Sequence, residues 1–146
     1  MKDTLHLFTA HFPYGGGETF LENELPILSK FFKKVYIYPR FDPVNQIRSL
    51  PSNTSVRNII MERRSMKKGL IFIAHYFGIR SILRKEAENS SNRRYFKQNK
   101  GMFRSMVMKA YFDARQIKIA TKNDATNAVY YSFWMNDWAL ALSVMK

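Results

Sequence analysis

Residues 11–24 read His-Phe-Pro-Tyr-Gly-Gly-Gly-Glu-Thr-Phe-Leu-Glu-Asn-Glu and connect two segments of different periodicity. A continuous apolar run, Leu5–Thr9, precedes them, and apolar residues at helical spacing follow from Phe20 to Phe32. A strand that leads through three glycines into a helix lets backbone approach an anion closely, because glycine tolerates positive φ and carries no side chain. The N–H groups and the positive dipole end of a helix N-terminus favour the same ligand. We therefore interpret the three glycines as a candidate phosphate-binding loop; the alternative is a flexible turn.

The segments around this loop predict a strand–helix–strand unit. Thr4–Thr9 has the pattern of a short buried strand, and apolar residues recur at four, three and four positions from Leu21 to Phe32, as on one helix face. Val35–Tyr38 is a β-branched and aromatic run that stops at Pro39, which is typical of a second strand. Such a unit joins two parallel strands by a right-handed crossover.

The rest of the chain extends this unit into an open sheet. We expect a short third strand at 55–60, helices at 66–85 and 103–117, a fourth strand at 128–133 and a helix after Asn136. Residues 86–100 are polar and predict either a loop or a short helix. The sequence is interpreted as the front part of a doubly wound sheet, and the expected remainder would follow Lys146.

Composition and charge narrow the class of protein. The 146 residues are sufficient for one domain and include no cysteine, so thiolate metal sites and disulfides are excluded. The longest apolar run, 69–79, is about half of a bilayer span. The net charge is +13, and 17 Lys and Arg residues face only four acids between Arg57 and Lys122. This excess predicts an anionic partner, which would be lipid headgroups, nucleic acid or an anionic substrate.

The basic segment, residues 61–122, is expected to be predominantly helical and to contain the anion-binding surface. A membrane surface is one interpretation, and an ordinary solvated helix face is the other. A nucleic-acid site is less favoured, although Tyr95, Phe96 and Tyr111 would allow base stacking. The candidate membrane- or anion-binding residues are Lys67, Lys68, Arg80, Arg84, Arg93, Arg94 and Arg104.

Other chemical motifs are weak. The dinucleotide fingerprint G-x-G-x-x-G is met at Gly15 and Gly17 but has Phe20 at its third glycine, so a nucleotide-dependent oxidoreductase is a minor alternative. Arg40, after the second strand, is interpreted as a loop residue and not as a nucleotide contact. The three histidines are not at metal-ligand spacing, and we predict no metal. His11 differs from the other two histidines in that we interpret it as a candidate ligand contact. It leads into the glycine loop, where ligands of open α/β sheets bind.

Residues 12–24 (Phe-Pro-Tyr-Gly-Gly-Gly-Glu-Thr-Phe-Leu-Glu-Asn-Glu) and the strand Val35-Tyr36-Ile37 resemble the N-terminal domain of bacterial family 4 glycosyltransferases. The run Tyr130-Tyr131-Ser132-Phe133-Trp134 before a helix is similar to a later strand of that domain. The basic middle of the chain shows no such similarity. These enzymes have the GT-B fold, two Rossmann-like domains across a cleft, and act in the synthesis of cell-surface polysaccharides.

The resemblance implies an α/β fold with a Rossmann-like open, mainly parallel sheet in one domain, 1–146. It also implies retaining transfer of a hexose from a nucleotide sugar, without a metal or other cofactor, to a saccharide or polyprenyl-diphosphate-linked acceptor. The donor would be held mainly by a C-terminal domain that this sequence lacks, so the chain alone is expected to be inactive. The protein would be cytoplasmic and peripheral on the inner face of the membrane. The residues implied to approach the donor phosphate or sugar are Gly15, Gly16, Gly17 and Glu18; the acceptor-side candidates are His11, Tyr14, Ser132, Trp134 and Asp137.

Overall fold

The computed structural model describes residues 2–41, 48–59, 76–85, 87–88, 93–124, 126–133 and 137–145. In chain order the strands are β1 (Lys2–Thr9), β2 (Phe32–Pro39), β3 (Thr54–Val56) and β4 (Ala128–Ser132). The helices are α1 (Leu21–Ser29), α2 (76–85), α3 (Arg93–Gln98), α4 (Lys100–Thr121) and α5 (Asp137–Ser143), with a short 3-10 turn, Lys122–Asp124, after α4.

The four strands form one parallel sheet in the order β3-β2-β1-β4. Leu5 in β1 is level with Val35 in β2 and with Val129 in β4. This confirms the predicted α/β class with a Rossmann-like open parallel sheet. The chain leaves β1 toward β2 on one side, and β4 is added on the other side. The loops that follow β1 and β4 therefore diverge at the carboxyl edge of the sheet, which is where open α/β sheets bind ligands.

Each face of the sheet has its own apolar core. On one face, Leu21 and Leu25 of α1 pack in a cluster with Leu5, Leu7 and Ile37. On the other face, Ile117 of α4 and Trp138 and Ala141 of α5 form a cluster with Phe8 and Tyr38. Helices on both faces explain why residues 4–9 of β1 and 35–39 of β2 are all buried and do not alternate with exposed residues.

The structure changes the predicted bounds of several elements. Phe32, predicted on the helix face, is the first residue of β2 and pairs with Lys2 of β1. It still packs against the α1-side core, so its burial agrees with either interpretation. Of the alternatives for 86–100, a helix is present at α3, and α4 is longer at both ends than predicted. The predicted helical residues 66–75 and the predicted N-cap Asn136 lie outside the described residues.

Helix α4 packs with α5 and α3 as well as with the sheet. Ile117 reaches the sheet core, whereas Phe103 in the first turns packs against Phe96 of α3, with ring centroids 5.0 Å apart. Gly78 of α2 lies against the Tyr111 ring. The described part of the basic segment is therefore mainly helical. Within the described ranges, no helix is long and apolar enough to cross a membrane.

Candidate functional site

The glycine loop lies between β1 and α1 with its backbone open to solvent. Gly15, Gly16 and Gly17 are exposed, and a Cβ added at any of them would meet no atom within 4 Å. Gly15 has φ +65°, a left-handed conformation that favours glycine. In the part of the chain that the structure describes, the N–H groups of the three glycines donate no hydrogen bond. They are therefore accessible to a ligand.

Glu18 faces the protein interior. Its carboxylate accepts hydrogen bonds from the backbone N–H groups of Ala10 (3.0 Å), His11 (2.7 Å) and Phe12 (2.8 Å). The residue is 8% exposed and has φ +57°. The three backbone N–H groups that immediately follow β1 are thus already bonded to the Glu18 carboxylate. The accessible donors of this loop are the glycine N–H groups.

Arg48 holds the loop from the other side. Its Nη1 donates to the carbonyl oxygen of Gly17 at 2.7 Å, its Nε pairs with the carboxylate of Glu22, and its guanidinium lies 5.4 Å from the centre of the Phe12 ring. The Arg48 side chain is only 8% exposed. The sequence gives no signal for Arg48, because this residue lies in a long polar stretch with no periodic pattern. Its contacts with Glu22 and Gly17 fix the conformation of the glycine loop.

A second polar cluster lies at the same edge of the sheet and is centred on Arg40, the first residue after β2. Arg40 donates to Asp113 of α4 at 2.9 Å and to Asp137 of α5 at 3.2 Å. Lys109 also donates to Asp137. Burial raises the pKa of the Asp113 carboxyl, although the nearby Arg40 guanidinium acts in the opposite direction. Arg40, which was predicted as a loop residue, therefore links the end of β2 to two helices.

This cluster is linked to the end of β1. The Arg40 guanidinium lies 4.7 Å from the centre of the Trp138 ring, and Trp138 Nε1 donates to the carbonyl oxygen of Thr9 at 3.0 Å. The backbone N–H of Arg40 donates to the carbonyl oxygens of Thr9 and Ala10. The structure therefore brings Asp137, one acceptor-side candidate, next to the loop that follows β1.

The other acceptor-side candidates occupy varied positions. His11 is exposed and stacks on Phe41 at 4.6 Å between ring centroids. Tyr14 is half-buried, and its N–H donates to the carbonyl oxygen of His11 at 2.8 Å. Ser132 ends β4, level with Phe8 of β1, and Trp134 lies outside the described residues.

The basic candidates that the structure describes are exposed side chains on three helices. Arg80 and Arg84 lie on α2, Arg93 and Arg94 on α3, and Arg104 on α4. Lys67 and Lys68 lie outside the described residues. Arg84 pairs with Glu88 at 2.7 Å. On α2, three residues before Arg80, Phe77 is 84% exposed.

His6 lies in a buried aromatic cluster on the α4 side of the sheet. Its ring is fully buried, stacks on Tyr130 at 4.8 Å and on Tyr36 at 5.8 Å, and shares a 3.0 Å hydrogen bond from Nδ1 with the Tyr38 hydroxyl. Its Nε2 makes no hydrogen bond with the described residues. Burial lowers the pKa of His6, and burial raises the pKa of Tyr38 to about 12. This arrangement agrees with the prediction that His6 is a structural strand residue, although its Nε2 has no hydrogen-bond partner among the described residues.

Among the described residues, no three His, Asp or Glu side chains lie close enough together to hold a metal ion. At the carboxyl edge, the backbone N–H groups of the glycine loop lie near ion pairs in which Arg40 is bound to Asp113 and Asp137 and Arg48 is bound to Glu22. Backbone N–H groups of this kind bind and orient an anionic ligand.

The chain matches no protein-family model, no curated protein and no solved structure. The resemblance at residues 12–24 therefore remains an expectation from the sequence.

Proposed function

We propose that this chain is the N-terminal, acceptor-side part of a retaining GT-B glycosyltransferase. The enzyme transfers a hexose from a nucleotide sugar to a saccharide or lipid-linked acceptor in cell-surface polysaccharide synthesis. A second domain holds most of the nucleotide sugar, and the protein acts at the inner face of the cytoplasmic membrane.

The observation that carries this proposal is that the N–H groups of Gly15–Gly17 donate no hydrogen bond to any residue that the structure describes. They follow β1, the strand at which connections to the two sides of the sheet diverge. Ligands of open parallel sheets bind at such a position. The loop is also held before any ligand arrives, by the Glu18 carboxylate on one side and the Arg48 guanidinium on the other. Preorganised donors stabilise developing charge without a reorganisation cost during the reaction.

In the proposed reaction, the bond between the sugar's anomeric carbon and the diphosphate oxygen breaks. A bond from the same carbon to an acceptor hydroxyl oxygen forms on the same face of the sugar. The hydroxyl proton passes to the leaving diphosphate. The N–H groups of Gly15–Gly17 stabilise the negative charge that develops on that diphosphate.

Gly16→Val tests the role of the loop in the protein encoded by the whole reading frame. Gly16 lacks the positive φ of Gly15 and has open space around its Cβ position, so a side chain there shields the N–H groups without disturbing the core. We expect transfer to fall by about 100-fold, the effect of removing one oxyanion donor. Transfer is measured with radiolabelled nucleotide sugars and polyprenyl-diphosphate-linked acceptors.

The matched control is Gly101→Val, which also adds a side chain into open space but lies on α4. Urea midpoints of both variants report whether they are folded. Unchanged turnover in folded Gly16→Val would remove the loop from the mechanism. Lack of transfer in the unmodified protein with every donor tested would reject the proposed function itself.

A further inference from the structure

A groove runs along the outer face of α1, away from the sheet. One wall is formed by Thr19 and by the α1 face that carries Asn23 and Pro26, and the other wall is the segment 48–51. The groove begins at Gly15 and Gly16, ends at Lys30, and has a volume of ≈ 930 Å³. Ligand-binding clefts in proteins commonly have volumes of about 300–1,000 Å³.

The groove is braced at both ends. At one end, Arg48 binds the Gly17 carbonyl oxygen and the Glu22 carboxylate. At the other end, Asn53 Nδ2 donates to the carbonyl oxygens of Ser29 and Phe32, each at 2.9 Å. Arg48 and Asn53 therefore hold the two walls in place. A preformed site lowers the entropic cost of binding.

The lining offers polar groups that have no partner among the described residues. The side chains of Thr19, Asn23, Lys30 and Ser49 make no hydrogen bond or ion pair with the described residues. The Glu22 carboxylate is neutralised by Arg48, which leaves the Lys30 ammonium as the uncompensated charge of the lining. Apolar surface is contributed by Pro26, Leu50 and Pro51.

We propose that this groove binds an acidic saccharide. The two hydroxyls and the amide of the lining would pair with sugar hydroxyls, the apolar residues would contact the C–H faces of the rings, and the Lys30 ammonium would pair with a sugar carboxylate. The inference concerns binding alone and does not depend on the proposed transfer reaction.

The test is a titration of the ¹⁵N-labelled chain, followed by amide chemical shifts. The probe is tetragalacturonate, and its methyl ester serves as an uncharged ligand of the same shape. With the acid, we expect shifts of the Gly16 and Ser49 backbone amides and of the Asn23 side-chain amide. The ester should bind about fivefold more weakly, the effect of losing one exposed ion pair.

Variants assign the contacts. Lys30→Met should weaken binding of the acid about fivefold and leave binding of the ester unchanged. Asn23→Ala should weaken both ligands about threefold, the loss of one hydrogen bond. Asn58→Ala, at an exposed asparagine outside the groove, should change neither. The spectra themselves report whether each variant is folded.

Three results would contradict the proposal. No shift at millimolar tetragalacturonate would exclude a saccharide site, and equal binding of the acid and its ester would exclude the pairing with Lys30. Inorganic phosphate that reproduces the shifts of the Ser49 amide and the Asn23 side-chain amide, away from the glycine N–H groups, with the same dissociation constant would show a simple anion site. None of these results depends on transfer activity, so a failure here is distinct from a failure of the proposed function.

Discussion

Glu18 occupies a backbone conformation that most side chains avoid. A left-handed conformation costs a residue with a Cβ about 1–2 kcal/mol. Three hydrogen bonds from backbone N–H groups to the Glu18 carboxylate more than offset this cost, because each charge-assisted bond contributes about 1.5–3 kcal/mol. The residue therefore gives the glycine loop its fixed conformation.

Replacing Glu18 should destabilise the protein in a graded way. We expect Glu18→Ala to lower the free energy of unfolding by about 3 kcal/mol, because N–H groups near β1 lose their acceptor. Glu18→Gly should be about 1 kcal/mol less destabilising, since glycine accepts the positive φ. Urea denaturation measures both, and hydrogen exchange should show faster exchange at Ala10, His11 and Phe12. Equal stability of Glu18→Ala and the unmodified chain would contradict this role.

His6 should make stability depend on pH. Burial lowers its pKa from 6.5, so the unfolded chain binds the proton more readily than the folded one. The contribution of neutral His6 to the free energy of unfolding is fully present above pH 6.5. It is lost as the pH falls from 6.5 toward the pKa of His6 in the folded chain. At pH 5.5 the loss is at most about 1.4 kcal/mol, which corresponds to one pH unit.

Urea midpoints at pH 7.5 and 5.5 test this dependence, with His6→Phe as the comparison. The unmodified chain should lose more stability on acidification than the variant. The charged neighbours are Asp124, which raises the pKa of His6, and Arg57, which lowers it. Asp113 acts with the opposite sign because its pKa is raised, and it is present in both proteins. An identical pH dependence of the two proteins would show that His6 does not titrate in this range.

Helices α2 and α4 approach each other closely at Gly78. A Cβ at Gly78 would lie inside van der Waals contact of the Tyr111 hydroxyl oxygen and 3.2 Å from Tyr111 Cζ. Ile79 beside it is 2% exposed. Glycine at 78 therefore allows this close approach to the Tyr111 side chain, although it lowers helix propensity by about 1 kcal/mol relative to alanine.

Gly78→Ala should destabilise the protein by about 1–2 kcal/mol, because overpacking exceeds the gain in helix propensity. Adding Tyr111→Phe should restore part of the loss by removing the clashing oxygen. Gly101→Ala, in the first turn of α4 with open space at its Cβ, should instead be neutral or stabilising. Thermal unfolding compares the variants. A stabilising Gly78→Ala would mean that α2 does not pack on Tyr111.

The whole molecule has an uneven charge distribution. The net charge of +13 arises between Arg57 and Lys122, and the described part of this region forms α2, α3 and α4. Exposed cations such as Arg80 and Arg84 lie on the same helix as Phe77, which is 84% exposed. Basic and apolar side chains on one surface are the combination that binds an anionic membrane interface.

We therefore expect binding to anionic liposomes that decreases with salt. Arg80→Gln combined with Arg84→Gln should weaken it about tenfold or more, since each cation near an anionic surface contributes about 1 kcal/mol. Lys33→Gln combined with Lys34→Gln removes the same charge from β2 and should have little effect. Vesicle co-sedimentation measures binding. Equal binding to neutral vesicles would contradict the prediction, and tighter binding to unrelated oligonucleotides would favour the nucleic-acid alternative.

An element or site can be predicted from the sequence when its interactions are between residues that are close along the chain. β1, α1 and β2 were predicted because each is a local pattern: central parallel strands are apolar on both faces, and α1 repeats its apolar residues at helical spacing. Phe32 was misassigned because its burial satisfies either pattern. The glycine loop was identified because three adjacent glycines are a local signal.

The amino-acid sequence alone thus determined the order of elements, the parallel α/β class, the position of the glycine loop and the location of the positive charge. Tertiary structure alone decided that Glu18 faces inward, that Arg48 holds the loop, and that Arg40 joins Asp113 and Asp137. Arg40 is 73 residues from Asp113 and 97 from Asp137 along the chain. No periodicity links residues so distant, because their contact depends on how helices pack on the sheet and on which side chains that packing buries.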